Sequence, residues 1–133
     1  MSFENECALL EARFASSWST FSPIDWDNTD YKPVSGTSYV EFRVINGFST
    51  QASTGASQLF RSDGVVHVKC MLEKSEGRKE ADQFTDKAAG IFRGWRSSGL
   101  TCRAPYVTRI GELDGWYQLL VTVPYFRDEY FSI

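Results

Sequence analysis

Apolar residues recur near the start of the chain as Phe3, Cys7, Leu10, Phe14 and Trp18, at intervals of four, three, four and four. That spacing gathers them on one face of a helix. Ser2 is placed to cap the start, Glu4 and Glu6 fall where the positive end of the helix dipole favours carboxylates, and Ser22-Pro23 marks the exit. A second stripe, formed by Ala81, Phe84, Ala88, Ile91 and Trp95, predicts a helix from about Arg78 to Arg96. Arg93 and Arg96 would complement its negative end, and Ser97-Ser98-Gly99 would close it.

Elsewhere the period is two. From Ser38 to Val44, Val40, Phe42 and Val44 alternate with Tyr39, Glu41 and Arg43, the pattern of a half-buried strand. From about Val65 to Leu72, Val66, Val68, Cys70 and Leu72 share one face, and Val65, His67, Lys69 and Met71 the other. Between these strands, residues 46–58 are mostly small and polar, with too little apolar surface to hold them on a core. They read as an exposed arm or long hairpin tip, mobile in a free subunit. Tyr106 to Ile110, a five-residue turn over 111–115, and Trp116 to Tyr125 read as a hairpin, with Tyr117, Leu119, Val121 and Val123 on one face. The final residues, 126–133, mix charges with aromatics and are expected to be loose or docked on a neighbour. Residues 24–30, with Trp26 as anchor, and the following Lys32-Pro33 and Ser35-Gly36 read as loop.

The order is therefore helix, strand, strand, helix, strand, strand. Two amphipathic helices covering one face of a mainly antiparallel sheet give a two-layer α+β fold. The length of 133 residues fits a single domain over 1–133. Apolar residues make up 42% and charged residues 23%, which fits a packed globular chain and excludes disorder as the default. Aromatics reach 15%, four of them Trp, enough to supply interfaces as well as a core.

The formal net charge of −3, with basic residues scattered among acidic ones, argues against sequence-directed nucleic-acid binding. An acidic wall instead lets DNA pass without sticking. The three cysteines, Cys7, Cys70 and Cys102, are odd in number, widely spaced and outside any CxxC. They read as buried reduced thiols of a chain made in the cytoplasm, and not as a disulfide framework or zinc site. No apolar run of signal or membrane-spanning length is visible, so a soluble protein without membrane partners is expected.

Little in the sequence carries catalytic or cofactor chemistry. His67 is the sole histidine and lies on the less apolar face of a strand, with no GxSxG elbow to accompany it. Phosphate-binding glycine loops are lacking. Asp25, Asp27 and Asp30 resemble the start of a calcium loop, but its sixth position is Asp30 where Gly is needed and its twelfth is Gly36 where Glu is needed. Glu112 with Asp114, and Asp128 with Glu129, read as solvated surface. Arg93, Arg96, Arg103 and Arg109 read as ion-pair or interface arginines. No catalytic, cofactor or metal residues are therefore assigned.

Four stretches together resemble a known family. They are Ser22-Pro23-Ile24-Asp25-Trp26-Asp27-Asn28, Tyr39-Val40-Glu41-Phe42-Arg43-Val44, Arg61-Ser62-Asp63-Gly64-Val65-Val66 and Gly115-Trp116-Tyr117-Gln118. Their order and spacing resemble the tail-terminator-like proteins of phages with long non-contractile tails, across nearly the whole chain. The resemblance implies a structural, non-enzymatic subunit of the virion tail. Six copies would form a ring on the head-proximal end of the tail tube, stopping its polymerisation and offering a surface to neck or head-completion proteins, while viral DNA passes through the lumen.

A ring needs one patch to meet a different patch. Phe48, Gln51, Leu59, Phe60 and Arg61, on and beside the polar arm, are the candidate contacts to a neighbouring subunit or the tube. The alternatives are another virion part, such as a neck stopper, head-completion protein or tube subunit, and a small-ligand-binding domain with aromatics lining a pocket.

Overall fold

The computed structural model describes residues 3–18, 21–27, 32, 37–51, 57–73, 77–97, 99–113 and 115–132. Helix α1 spans Phe3–Trp18 and helix α2 spans Gly77–Phe92. The strands are β1 (Ile24–Asp25), β2 (Tyr39–Gln51), β3 (Ser57–Leu72), β4 (Arg96–Ser97), β5 (Leu100–Cys102), β6 (Tyr106–Leu113) and β7 (Trp116–Ser132). They form one seven-stranded sheet in the order β1-β2-β3-β7-β5-β4, with β6 on β7 beside the β5 segment. Every pairing is antiparallel except β1 with β2. Both helices lie on one face, so the fold is the expected two-layer α+β arrangement.

The alternation in the strands decides what the helices cover. Val40 and Phe42 of β2, Val66, Val68, Cys70 and Leu72 of β3, and Leu119, Val121, Val123 and Tyr125 of β7 are buried toward the helix layer. Leu10, Phe14 and Trp18 of α1 meet them, as do Ala81, Phe84, Ala88, Ile91 and Phe92 of α2. Phe14 is the hub: its ring stacks on Trp18, Phe42 and Phe92 at centroid distances of 5.0, 4.8 and 6.2 Å, and meets the edge of Trp26 at 6.3 Å. Offset stacks and edge contacts of this kind add to what area burial alone contributes. Trp26 anchors its loop as expected.

Several boundaries differ from the periodic reading. Helix α2 ends at Phe92 and not at Arg96, because Gly94 takes a left-handed conformation (φ 71°) that stops the helix. Trp95 stays in line with the apolar stripe by packing edge-on against Phe92 from outside the helix. The turn of the last hairpin has two residues and not five: Leu113 pairs with Trp116 across Asp114-Gly115, a strong hairpin dipeptide. Gly111, placed in that turn by the sequence, instead sits at a β-bulge with φ 89°. The short strands β1, β4 and β5 were not visible as alternation, since two or three residues carry no period.

The strands run further into the arm than their alternation predicts. β2 continues to Gln51, β3 begins at Ser57 and β7 continues to Ser132. The register runs Ser49↔Ser62, Thr50↔Arg61 and Gln51↔Phe60, and on the other side Ser57↔Ser132 through Ser62↔Arg127. The arm is therefore a hairpin tip, one of the two forms expected for it, and the chain end read as loose or docked forms its third strand. Residues 52–56 lie outside the described part.

Candidate assembly surfaces

The three-stranded extension begins where the helix layer ends. Past Val44 in β2, before Val66 in β3 and after Tyr125 in β7, no described side chain belongs to the apolar core. The junction is polar instead. Glu6 of α1 is completely buried, and its carboxylate accepts hydrogen bonds from the Asn46 amide of β2 (2.8 Å), the Arg127 guanidinium of β7 (2.8 Å) and the Tyr125 hydroxyl. Arg127, itself 4% exposed, also donates to the Ser62 hydroxyl of β3 at 3.4 Å. One buried carboxylate thus ties the first turns of α1 to all three strands of the extension. Burial and the neighbouring Glu6 carboxylate raise the Tyr125 hydroxyl well above the usual tyrosine range, so it stays a donor. Gly64 makes room for this knot: a Cβ there would lie 2.5 Å from the Tyr125 hydroxyl and 2.7 Å from the Ile45 carbonyl.

The five residues picked as contacts are brought together by this extension. Phe48 and Gln51 lie on β2, and Leu59, Phe60 and Arg61 on β3, with Gln51 directly opposite Phe60. The side chains of Phe48, Gln51 and Leu59 lie outside the described part. Phe60 is half-buried. Arg61 forms a two-pronged ion pair with Asp128 (2.7 and 2.9 Å) and lies over the Phe126 ring at 4.4 Å. Arg103 approaches the same ring at 4.9 Å. Asp128, read from the sequence as solvated, is therefore paired, and the Arg61 hydrogen bonds hold its carboxyl below the ordinary value.

The sheet face away from the helices is a second surface. Across β2, β3, β7 and β6 its rows read Glu41, Lys69, Leu120, Thr108 and Arg43, His67, Thr122, Tyr106. Tyr106 is 56% exposed and leads an apolar series on β6, with Val107, Ile110 and Leu113 also exposed. An exposed apolar edge strand is normally covered or blunted.

Among the described residues, no catalytic arrangement is assembled at either surface. The cross-strand neighbours of His67 are Arg43 and Thr122, and burial, then Lys69, lowers the imidazole from its ordinary value. A general base would need an orienting acceptor in place of a guanidinium. Asp25 and Asp27 both pair with Arg43, at 3.4 and 3.7 Å, instead of facing a shared cation position. Among the described residues no group of His, Cys, Asp or Glu is arranged to hold a metal ion. Burial pushes the Cys70 and Cys102 thiols up to about 12, so both are inert side chains of the interior. No described helix is long and apolar enough to cross a membrane.

The sequence profile of the phage tail terminator protein family matches residues 7–125, from the first turns of α1 to the Tyr125 of the buried knot. The chain belongs to this family. Its role is that of a structural protein of the phage tail, placed in the virion and in contact with tail and head components. A solved structure known only by a sequence identifier has the same fold, with a TM-score of 0.66 at 19% identity, over 100% of this chain and 99% of the other. No curated protein matched the chain.

The Glu6 knot was the feature the sequence reading missed. Glu6 precedes Leu10, Phe14 and Trp18 at steps of four, and so lies on the buried stripe. A carboxylate at such a position needs a buried cationic partner.

Proposed function

We propose that this family member assembles into a ring, six copies by the family resemblance, that caps the head-proximal end of the tail tube. The ring stops tube polymerisation and presents its far side to a neck or head-completion protein, and viral DNA passes through its lumen. No catalytic step is involved. The observation that carries this reading is the three-stranded extension of β2, β3 and β7, built outside the helix-covered core yet tied to it by a buried ion pair. A projection with its own buried anchor is suited to reach a neighbour or the tube end in a fixed direction. Phe48, Gln51, Leu59, Phe60 and Arg61 are its contacts.

Electron microscopy of the concentrated protein, alone and with preformed tubes, tests this directly. Single rings at one tube end are the expected result. Stacked rings along the tube would identify a tube subunit instead, and rings on a head without a tube would identify a neck protein. A hairpin shortened by replacing residues 51–60 with Asn-Gly, which closes on the Thr50↔Arg61 pair, keeps the core and should lose capping.

A further inference from the structure

The two edges of the sheet carry opposite charge. The outermost strand on one side is β1, with Asp25; on the other side the edge is shared by β6 and by β4, which carries Arg96. Beside β1 and β2, the exposed Asp27 and the half-exposed Glu11 add to the acidic side. Beside β4 and β5, Arg93 and Arg103 are exposed and add to the basic side. Arg43 also lies on the acidic edge, on β2. Its guanidinium is already divided between Asp25 and Asp27 and held by the Asp25 and Phe42 carbonyls.

The acidic edge also has a shape. A recess of about 210 Å³ opens there, lined by Glu11, Asp27, Phe42 and Val44. Two carboxylates thus stand over an apolar floor. The nearby Cys7 thiol senses the same field: burial raises it first, and Glu6, Glu11 and Asp27 each raise it further. A guanidinium on an aliphatic stem fits such a recess, since the stem can lie on the half-buried Val44 while the planar head reaches the carboxylates. Arg96 on β4 and Arg103 just after β5 are side chains of that kind, and β2, β3 and β7 stand between their strands and β1; Arg93 is a further exposed arginine, at the end of α2. Exposed apolar residues accompany both edges, Ile45 (48%) on β2 and Val107 and Ile110 (44% and 40%) on β6.

We infer that the partner for each edge is a second copy of this chain: the arginine edge formed by Arg93, Arg96 and Arg103 docks on the Glu11–Asp27 recess of the next subunit. The contact is head-to-tail, one patch meeting a different patch, and such a contact closes into a ring when the rotation per step allows. It rests on the ring reading above and assigns which surfaces meet within the ring.

Charge exchange tests it. An acidic-edge variant carries Glu11→Lys and Asp27→Lys, and a basic-edge variant carries Arg96→Glu and Arg103→Glu. Each alone is expected to weaken ring formation at least about tenfold, read by native mass spectrometry and sedimentation. Mixed in equal amounts, the two variants are expected to form rings again with alternating subunits, because every contact then joins unlike charges. A single chain carrying all the substitutions should also assemble. Circular dichroism of each variant checks that it is folded, and recovery on mixing excludes misfolding independently. Rings unaffected by either reversal, or loss without recovery on mixing, would overturn the assignment. If the unmodified chain forms no ring alone or on tubes, the ring reading itself fails.

Discussion

The half of the sheet beneath the helices and the half beyond Asn46 are built from the same three strands, yet they are held by different forces. In the first, alternate side chains of β2, β3 and β7 are removed from water against α1 and α2. Each fully buried large side chain there contributes roughly 1.5–3 kcal/mol through burial. In the second, the described side chains bury little apolar surface, and main-chain pairing continues without a helix over it. A polar knot at Glu6 stands between the two. The first half has a stability of its own, and the second borrows its stability through that knot.

The strongest way to break the first half is at the Phe14 hub. Phe14→Ala should cost about 3–5 kcal/mol, measured by urea unfolding, because it removes a ring stacked on three others and leaves a cavity. Both halves should then unfold together. Glu6→Ala tests the knot. It strands the Arg127 charge without its partner in a buried site, and should cost on the order of 3 kcal/mol. Amide exchange should separate the halves: protection falls first in residues 57–64 and 126–132, and the core pairs Val66↔Val123 and Val68↔Val121 hold longer. Equal loss everywhere would show that the halves are one cooperative unit.

Gly64→Ala should cost roughly 1–3 kcal/mol, since a methyl group there meets both the Tyr125 hydroxyl and a backbone carbonyl. The smallest effect is expected at the tip. Arg61→Ala removes a partly exposed ion pair, so the melting temperature should hardly move while capping is lost. Its pH signature has a definite sign. The folded Asp128 carboxyl titrates below its ordinary value because Arg61 stabilises the charge. The pair's contribution is therefore complete above the ordinary carboxylate range and disappears as pH falls through the folded value. Asp128→Asn should flatten that part of the acid unfolding profile.

The same contrast explains what the sequence disclosed. Where side-chain burial determines structure, the period was readable: α1 from Phe3 to Trp18, the inward faces of β2, β3 and β7, and the two-layer arrangement. Where main-chain hydrogen bonds determine it, the pattern was blank. Ser49, Thr50 and Gln51 pair as well as valines do, but nothing in their order indicates it. The end of α2 was misplaced because Trp95 keeps helical spacing after Gly94 has ended the helix. Of the candidate contacts, the grouping of Phe48, Gln51, Leu59, Phe60 and Arg61 on one hairpin follows from their flanking a polar stretch. The Arg61–Asp128 pair joins residues 67 positions apart, and no local pattern connects them.

The unbroken ladder between β3 and β7 has a mechanical consequence. Its 16 register pairs run from Ser57↔Ser132 to Leu72↔Tyr117 without a slip. At about 3.4 Å per residue, that makes a beam on the order of 50 Å long. A pull on the tip along the strands loads this ladder in shear, so its hydrogen bonds share the force and do not peel open one at a time. β2 lacks this continuity, because its register shifts between Asn46 and Ser49. Under sideways load the extension should therefore bend by yielding along β2, with β3 and β7 acting as the stiff spine.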